Sequence, residues 1–110
     1  MRDAILNLLL NACHSSRENG TVALHAIVRD GRFEAEIADQ GDGLPAHTRE
    51  YLERSGAGAA PLDRRSGLGL WIVKRHCDEL RGRLEVPRSD TTGTVIRFVV
   101  PLSKEAELAA

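Results

Sequence analysis

The stretch TVALHAIVRDGRFEAEIADQGDG, residues 21–43, decides the fold of this chain. Apolar side chains occupy alternate positions on both sides of the Asp30-Gly31 pair, namely Val22, Leu24, Ala26 and Val28 before it and Phe33, Ala35 and Ile37 after it. A period of two is typical of strands, and an Asp-Gly pair between two such runs is typical of a two-residue turn. The stretch therefore predicts a β-hairpin that ends where the glycines of residues 41–43 begin.

Helices are predicted on both sides of this hairpin. Residues from Asp3 to about Arg17 contain neither Gly nor Pro, and Asn19-Gly20 follows as a terminator. A short helix fits residues 46–54. Residues 67–80 regain helical spacing, with Gly82 at the position expected for a cap, through Leu70, Val73, Cys77 and Leu80.

A second antiparallel pair is predicted near the end of the chain, from residues 83–89 and 94–101 around a turn at 90–93. Residues 55–66 show no period and predict a mobile loop, and residues 103–110 predict a frayed tail. The order of helices and hairpins indicates an α+β fold. We expect a two-layer α/β sandwich, with helices on one face of an antiparallel or mixed sheet.

Composition narrows the function classes. The 110 residues carry a formal net charge of −1, which provides no global field to attract nucleic acid or an anionic membrane. The first apolar run is too short to span a bilayer and makes a poor signal peptide. Cys13 and Cys77 have no neighbouring cysteine, as expected for thiols in a reducing compartment. We therefore expect one cytoplasmic domain that makes no direct membrane contact.

Asn7 and Asn11 lie four residues apart, and this spacing places both amides on one face of the first helix. One interpretation is that they are core asparagines bonded to neighbouring backbone, because buried amides need partners. The other is that Asn11 offers its carbonyl oxygen to Mg²⁺, which takes few protein ligands. His14 and Ser15, one turn further on, would then lie near the same ligand.

Asp39 continues the alternation of the hairpin, so its carboxylate is expected to face the core. An inward carboxylate is unfavourable unless a group donates to it, and the exocyclic amine of adenine is one such donor. Gly41 and Gly43, followed by Leu44, would let the backbone turn and approach a ring closely. An ordinary Asp-Gly loop at a strand end remains the simpler alternative.

The sequence Gly67-Leu68-Gly69-Leu70 opens the later helix, where backbone N–H groups without partners can bind an anion such as phosphate. The third glycine of a dinucleotide fingerprint and the Gly-Lys-Ser/Thr ending of a Walker A loop are both missing. Arg64 and Arg65 immediately precede the glycines and are candidates for phosphate oxygens, although loop arginines are more often simply solvated.

Taken in order, these segments resemble the GHKL ATPase superfamily over residues 4–102. Residues 7–12 (NLLLNA) look like its N box, 39–43 (DQGDG) like its first glycine box, and 66–73 (SGLGLWIV) like its second. Residues 92–98 (TGTVIRF) are similar to the closing motif. The resemblance implies the Bergerat fold, an α/β sandwich whose mixed sheet is mostly antiparallel.

The resemblance also implies a ligand and residue roles. ATP or ADP would bind with Asp39 on the adenine amine, Thr94 assisting there, Asn11 holding Mg²⁺, and the glycine boxes carrying the lid and the phosphates. Hydrolysing members have a glutamate as general base where this chain has Asn7, and an amide cannot take a proton from water. Phosphoryl transfer is favoured over hydrolysis, as in histidine kinases.

As a histidine kinase module, residues 1–102 would be an ATP-binding catalytic domain truncated on its N-terminal side. Residues 1–6, before the N box, are too few to form a helical pair with a phosphoacceptor histidine. None of the four histidines is assigned as acceptor, so that group would lie upstream in cis or on another chain, with a response regulator as an indirect partner. No catalytic residue is assigned.

Two alternatives stay open. One is an ATP-binding switch related to anti-sigma factors, which act as serine kinases when they are kinases. The other is a degenerate module with weak or no nucleotide binding, because the segment 46–66 lacks the usual Phe-rich box and Arg65 replaces the first glycine of the common GTGLGL run.

Overall fold

The computed structural model describes residues 2–60 and 68–102. Three helices and four strands follow one another as α1 (Arg2–Ser15), β1 (Ala23–Arg29), β2 (Arg32–Asp39), α2 (Ala46–Glu53), α3 (Leu68–Glu79), β3 (Arg83–Asp90) and β4 (Gly93–Pro101). No helix within these residues is long and apolar enough to cross a membrane. Residues 61–67, which include the second half of the predicted loop 55–66, and the predicted tail 103–110 lie outside the described residues.

The four strands form one sheet in the order β1-β2-β4-β3. Each neighbouring pair is antiparallel, so no parallel pair occurs among the described strands. The β2–β4 pairing is long-range and aligns Asp39 with Thr94 at one end and Arg32 with Pro101 at the other. The helices cover one face of the sheet, which confirms the predicted two-layer α/β sandwich.

The core lies between the helices and the central strands. α1 contributes Ala4, Leu8 and Ala12, and α3 contributes Val73 and Cys77. The sheet supplies the inward positions of β2, β3 and β4, with Phe98 completely buried among them. Because inward residues alternate along each strand, the same pleat that buries Ile37 also turns Asp39 inward.

β1 is an edge strand, and all seven of its residues are exposed. Its predicted alternation is present, since Leu24 and Val28 lie opposite the inward residues Ile37 and Phe33. Leu24 and Val28 nevertheless remain 47% and 63% exposed. α1 packs on β2 rather than on β1, and the edge position therefore leaves the apolar side chains of β1 outside the core.

Helix ends differ slightly from the sequence predictions. α1 stops at Ser15 instead of about Arg17, and a turn follows in which Gly20 N–H donates to the carbonyl of Arg17 at 2.8 Å. After α3, Arg81 adopts the left-handed conformation, with φ of 56°. Gly82 was expected to cap this helix, but it follows the left-handed residue and donates to the carbonyl of Cys77 at 2.7 Å.

Candidate functional site

Asp39 is the last residue of β2 and is 9% exposed. Its Oδ1 atom accepts hydrogen bonds from the backbone N–H groups of Gly41, at 2.9 Å, and Thr94, at 3.3 Å. Its Oδ2 atom accepts no hydrogen bond from residues 2–60 or 68–102. The carboxylate is thus held in place through one oxygen, and the other can accept a hydrogen bond from a ligand.

The glycine segment after β2 is fixed against two neighbouring elements. Gly41 is buried next to the carbonyl of Ser15, so a side chain at position 41 would collide with the end of α1. Gly43 has φ of +91°, and an added Cβ would lie 2.7 Å from the carbonyl oxygen of Asp90. Leu44 N–H donates to Ser89 Oγ at 2.7 Å. The segment therefore requires glycine for both conformation and space.

Asn7 and Asn11 are both half-buried on α1. The Asn7 Nδ2 group donates to the carbonyl of Asp3 at 2.7 Å, and a Cβ built on Gly69 would lie 3.4 Å from Asn7 Oδ1. This face of α1 is therefore turned toward the start of α3. The Asn11 amide makes no hydrogen bond with the described residues.

The first turn of α3 contains Leu68, Gly69 and Leu70, all of them half-buried. Gly69 lies next to the Asn7 side chain. The remaining predicted phosphate contacts, Arg64, Arg65 and Gly67, lie outside the described residues.

Helix α1 connects the two groups of predicted residues. Its middle faces the start of α3, while Ser15 at its C-terminal end lies against Gly41. Ser16, which follows the helix, accepts a hydrogen bond from Gln40 N–H at 3.2 Å. His14 and Ser15 lie exposed in the last turn of α1. Helix α1 thus contacts both the glycine segment after Asp39 and the start of α3.

Comparison with known proteins decides the family. The family model described as "Histidine kinase-, DNA gyrase B-, and HSP90-like ATPase" matches residues 1–104. The chain belongs to this ATPase family. The GHKL resemblance of the sequence motifs is thereby confirmed.

The curated relatives are sensor kinases. The sensor histidine kinase CitA of Klebsiella pneumoniae is 30% identical over 104 residues, which cover 90% of this chain and 19% of CitA. The adaptive-response sensory kinase SasA of Synechococcus sp. strain CC9902 is 30% identical over 107 residues, covering 93% of this chain and 28% of SasA. The chain thus spans well under a third of the length of these relatives.

Solved structures of histidine kinases also resemble this chain. The mycobacterial sensor histidine kinase MprB matches with a TM-score of 0.69 and 35% identity, over 90% of this chain and 70% of that one. Full-length ShkA, solved in complex with AMPPNP, matches with a TM-score of 0.74 and 29% identity, over 93% of this chain and 21% of that one. The chain corresponds to the ATP-binding catalytic domain of sensor histidine kinases.

The sequence alone does not indicate the role of Arg17, which forms hydrogen bonds both to the glycine segment and to the β3–β4 turn. Its Nη2 atom donates to Asp42 Oδ1 at 2.7 Å and also to the carbonyl of Thr91. The three residues are far apart in sequence, and an arginine beyond a helix end gives no signal by itself. Only the tertiary fold brings them together.

Asp90, whose backbone approaches Gly43, is the last residue of β3 and precedes the β3–β4 turn. Its Oδ1 atom accepts hydrogen bonds from the hydroxyl of Thr92, at 2.5 Å, and from the backbone N–H of Thr92, at 2.8 Å. The Thr92 hydroxyl is the main reason that the pKa of this carboxyl is lowered, and the Thr92 N–H contributes second. The Asp90 carboxylate is therefore ionised at neutral pH and hydrogen-bonded to Thr92 in the β3–β4 turn.

Proposed function

We propose that this chain binds Mg-ATP and donates the γ-phosphoryl group to a histidine on another domain. The observation that supports the proposal most strongly is the arrangement of Asp39, a recessed carboxylate with Oδ1 bonded to Gly41 and Thr94. The N6 amine of adenine can donate to the second carboxylate oxygen, whereas guanine has a carbonyl oxygen at the same ring position. This acceptor therefore favours adenine over guanine when the two bases bind in the same orientation.

Asn11 is the proposed Mg²⁺ ligand. It is half-buried on the helix face that turns toward α3, and no group of three or more His, Cys, Asp or Glu among the described residues could hold a metal on its own. Mg²⁺ commonly takes one or two protein oxygens and completes its shell with water and nucleotide phosphates, so a single amide oxygen fits. When bound, the ion would neutralise charge on the phosphates.

The first turn of α3 is the proposed phosphate site. Backbone N–H groups at the start of a helix have no partner within the helix, and the helix dipole favours an anion there. Gly69 has no side chain to block the approach, and Arg64, Arg65 and Gly67 are proposed to contribute from the segment just before the turn. His14 and Ser15 are proposed to bind at the same end of the ligand.

Asn7 argues for transfer rather than hydrolysis. Its amide nitrogen is bonded to the carbonyl of Asp3, which directs the amide oxygen toward α3. Neither atom of an amide can act as a general base near neutral pH. Positioning and charge neutralisation supply most of the catalysis in phosphoryl transfer, so this site can support transfer without a base of its own.

The phosphoacceptor is proposed to be a histidine of a separate domain, in cis or in trans, and a response regulator would receive the phosphoryl group afterwards. The names of the relatives support this proposal, since CitA and SasA are sensor kinases. We place the domain in the cytoplasm, where ATP is available.

Calorimetric titration with ATP, with and without Mg²⁺, tests the proposal. The wild type is expected to bind ATP saturably and more tightly with Mg²⁺, whereas Asn11→Ala loses the gain from Mg²⁺. Leu10→Ala, on the exposed side of the same helix, is the matched control and keeps the gain. Absence of saturable binding up to about 1 mM ATP would reduce the chain to a degenerate nucleotide module.

A further inference from the structure

One face of α3 holds the segment 54–58, which follows α2. Trp71, Lys74 and Asp78 share this face because they are spaced by three and four residues. We call these three residues the α3 clamp.

The clamp contacts the backbone of the segment at three points. Lys74 Nζ donates to the carbonyl of Arg54, and Ala57 N–H donates to Asp78 Oδ2 at 3.0 Å. Trp71 Nε1 donates to the carbonyl of Gly58 at 3.0 Å. Since these bonds involve backbone atoms of the segment, they fix its path whatever its side chains are.

Lys74 is the unusual member of the clamp. Lys74 is only 3% exposed. Lysine is rarely buried this deeply unless its ammonium group has a partner. The ammonium group lies 5.2 Å from the centre of the Tyr51 ring, and the Tyr51 hydroxyl donates to the carbonyl of Ala57 at 2.8 Å. Burial lowers the pKa of the amine, and the charge of Asp78 opposes that effect.

Among the described residues, α3 also makes two other sets of contacts besides the clamp. Val73 and Cys77 attach the helix to the core, and Gly69 packs near Asn7 of α1. The clamp begins at Trp71, one residue after the first turn that is proposed to bind phosphate. The clamp and this turn are thus neighbours on the same helix.

We propose that Lys74 is a positioning residue for nucleotide phosphates. Together with Asp78 and Trp71 it fixes the segment 54–58 against α3, and in this way it sets the direction of the N–H groups in the first turn. It does not contact the nucleotide. The inference rests on the proposed function, because it presupposes phosphate at the start of α3.

This role predicts a loss that depends on the phosphates. Lys74→Met removes the donor to Arg54 and the charge beside Asp78. We expect it to weaken binding of Mg-ATP roughly ten-fold, because the N–H groups of the first turn would no longer be held in the direction that favours phosphate. Binding of adenosine, which contacts only the base site at Asp39, should change less than about two-fold. A general loss of stability would instead lower the affinities for Mg-ATP and adenosine by the same factor.

The test is a nitrogen-15 NMR titration of the whole chain with Mg-ATP and, separately, with adenosine. The Gly43 amide reports on the base site, and hydrogen exchange of the Ala57 amide reports on the clamp. Arg29→Met is the control, since it removes an exposed cation from the edge strand β1, outside the clamp and the proposed site, and should leave both affinities unchanged. Asp78→Ala, at an exposed position, should lose Mg-ATP affinity roughly three-fold and keep adenosine affinity.

The outcomes separate the two proposals. Selective loss of Mg-ATP affinity in Lys74→Met, or in Asp78→Ala if the lysine variant does not fold, supports the positioning role. Equal losses for both ligands, or wild-type Mg-ATP affinity with fast exchange at Ala57, would overturn it and leave the proposed function intact. If the wild-type chain bound adenosine and Mg-ATP equally well, this result would contradict the proposed phosphate site and therefore also the positioning role.

Discussion

Asp39 and Thr94 face each other across the β2–β4 pairing, and Thr94 N–H donates to Asp39 Oδ1 at 3.3 Å. Both residues are at most 9% exposed. The register of two strands far apart in sequence therefore orients the carboxylate that is proposed to recognise adenine. A shift of this register by one residue would turn Asp39 to the opposite face of the sheet.

Thr94→Val tests the role of the Thr94 hydroxyl. The backbone N–H that binds Asp39 persists in this variant, so thermal stability should remain close to that of the wild type. If the hydroxyl assists at the adenine, ATP affinity should fall by roughly 1 kcal/mol, which is about five-fold. Calorimetry measures the ATP affinity of the variant and the wild type, and thermal denaturation measures their stability. Unchanged ATP affinity would remove the hydroxyl from the site.

Gly43→Ala tests the close approach of the glycine segment to the β3–β4 turn. Alanine at φ of +91° is strained, and its Cβ would lie 2.7 Å from the Asp90 carbonyl oxygen. We expect the free energy of unfolding to fall by about 2–3 kcal/mol, as measured by urea denaturation.

Gly56→Ala is the control for that measurement. Gly56 has a similar φ of +81°, but an added Cβ meets nothing within 4 Å. Its loss should be limited to about 1 kcal/mol of backbone strain. Equal losses at positions 43 and 56 would show that the Asp90 contact contributes nothing.

The variant Arg97→Met tests whether the sheet face opposite the helices affects nucleotide binding. The Arg97 guanidinium lies 2.6 Å from Glu36 and 3.3 Å from Glu85, and Arg97→Met leaves these two carboxylates without that cation. Partly exposed pairs contribute little, so the free energy of unfolding should fall by about 1 kcal/mol or less. ATP affinity should be unchanged. A loss of affinity would mean that the outer face is coupled to the site.

The two cysteines should differ in reactivity. Cys77 is 3% exposed, and burial raises the pKa of its thiol to about 12, so at pH 8 it is protonated and shielded. Cys13 is exposed. A thiol reagent at pH 8 should therefore modify Cys13 quickly and Cys77 only after denaturant is added. Rapid reaction of both thiols in the folded chain would contradict the packing of α3.

The sequence predicts local features of this domain well. The period of two through Ile37 to Asp39 predicts an inward carboxylate, which the structure confirms, because strand alternation is a local property. The absence of Gly and Pro near the N-terminus predicts α1 to within two residues of its end. The motif order is enough to indicate the family, which the family model confirms.

Long-range features could not be predicted in the same way. The alternation of Leu24 and Val28 resembles that of a core strand, yet which strand of the hairpin occupies the sheet edge depends on the β2–β4 pairing. Arg17 and Lys74 are ordinary cations in the sequence. Their bonds to Thr91 and Arg54 exist only after distant segments have packed together.

The most direct test of the account is calorimetric titration of Mg-ATP into the wild type and Asp39→Ala, with Glu36→Ala as control. Glu36 lies on the same strand, and its side chain is on the opposite face, where it pairs with Arg97. We predict saturable binding by the wild type and by Glu36→Ala, and at least about thirty-fold weaker binding by Asp39→Ala. If Asp39→Ala folds and binds ATP as tightly as the wild type, the adenine does not lie at Asp39 and the proposed site is wrong.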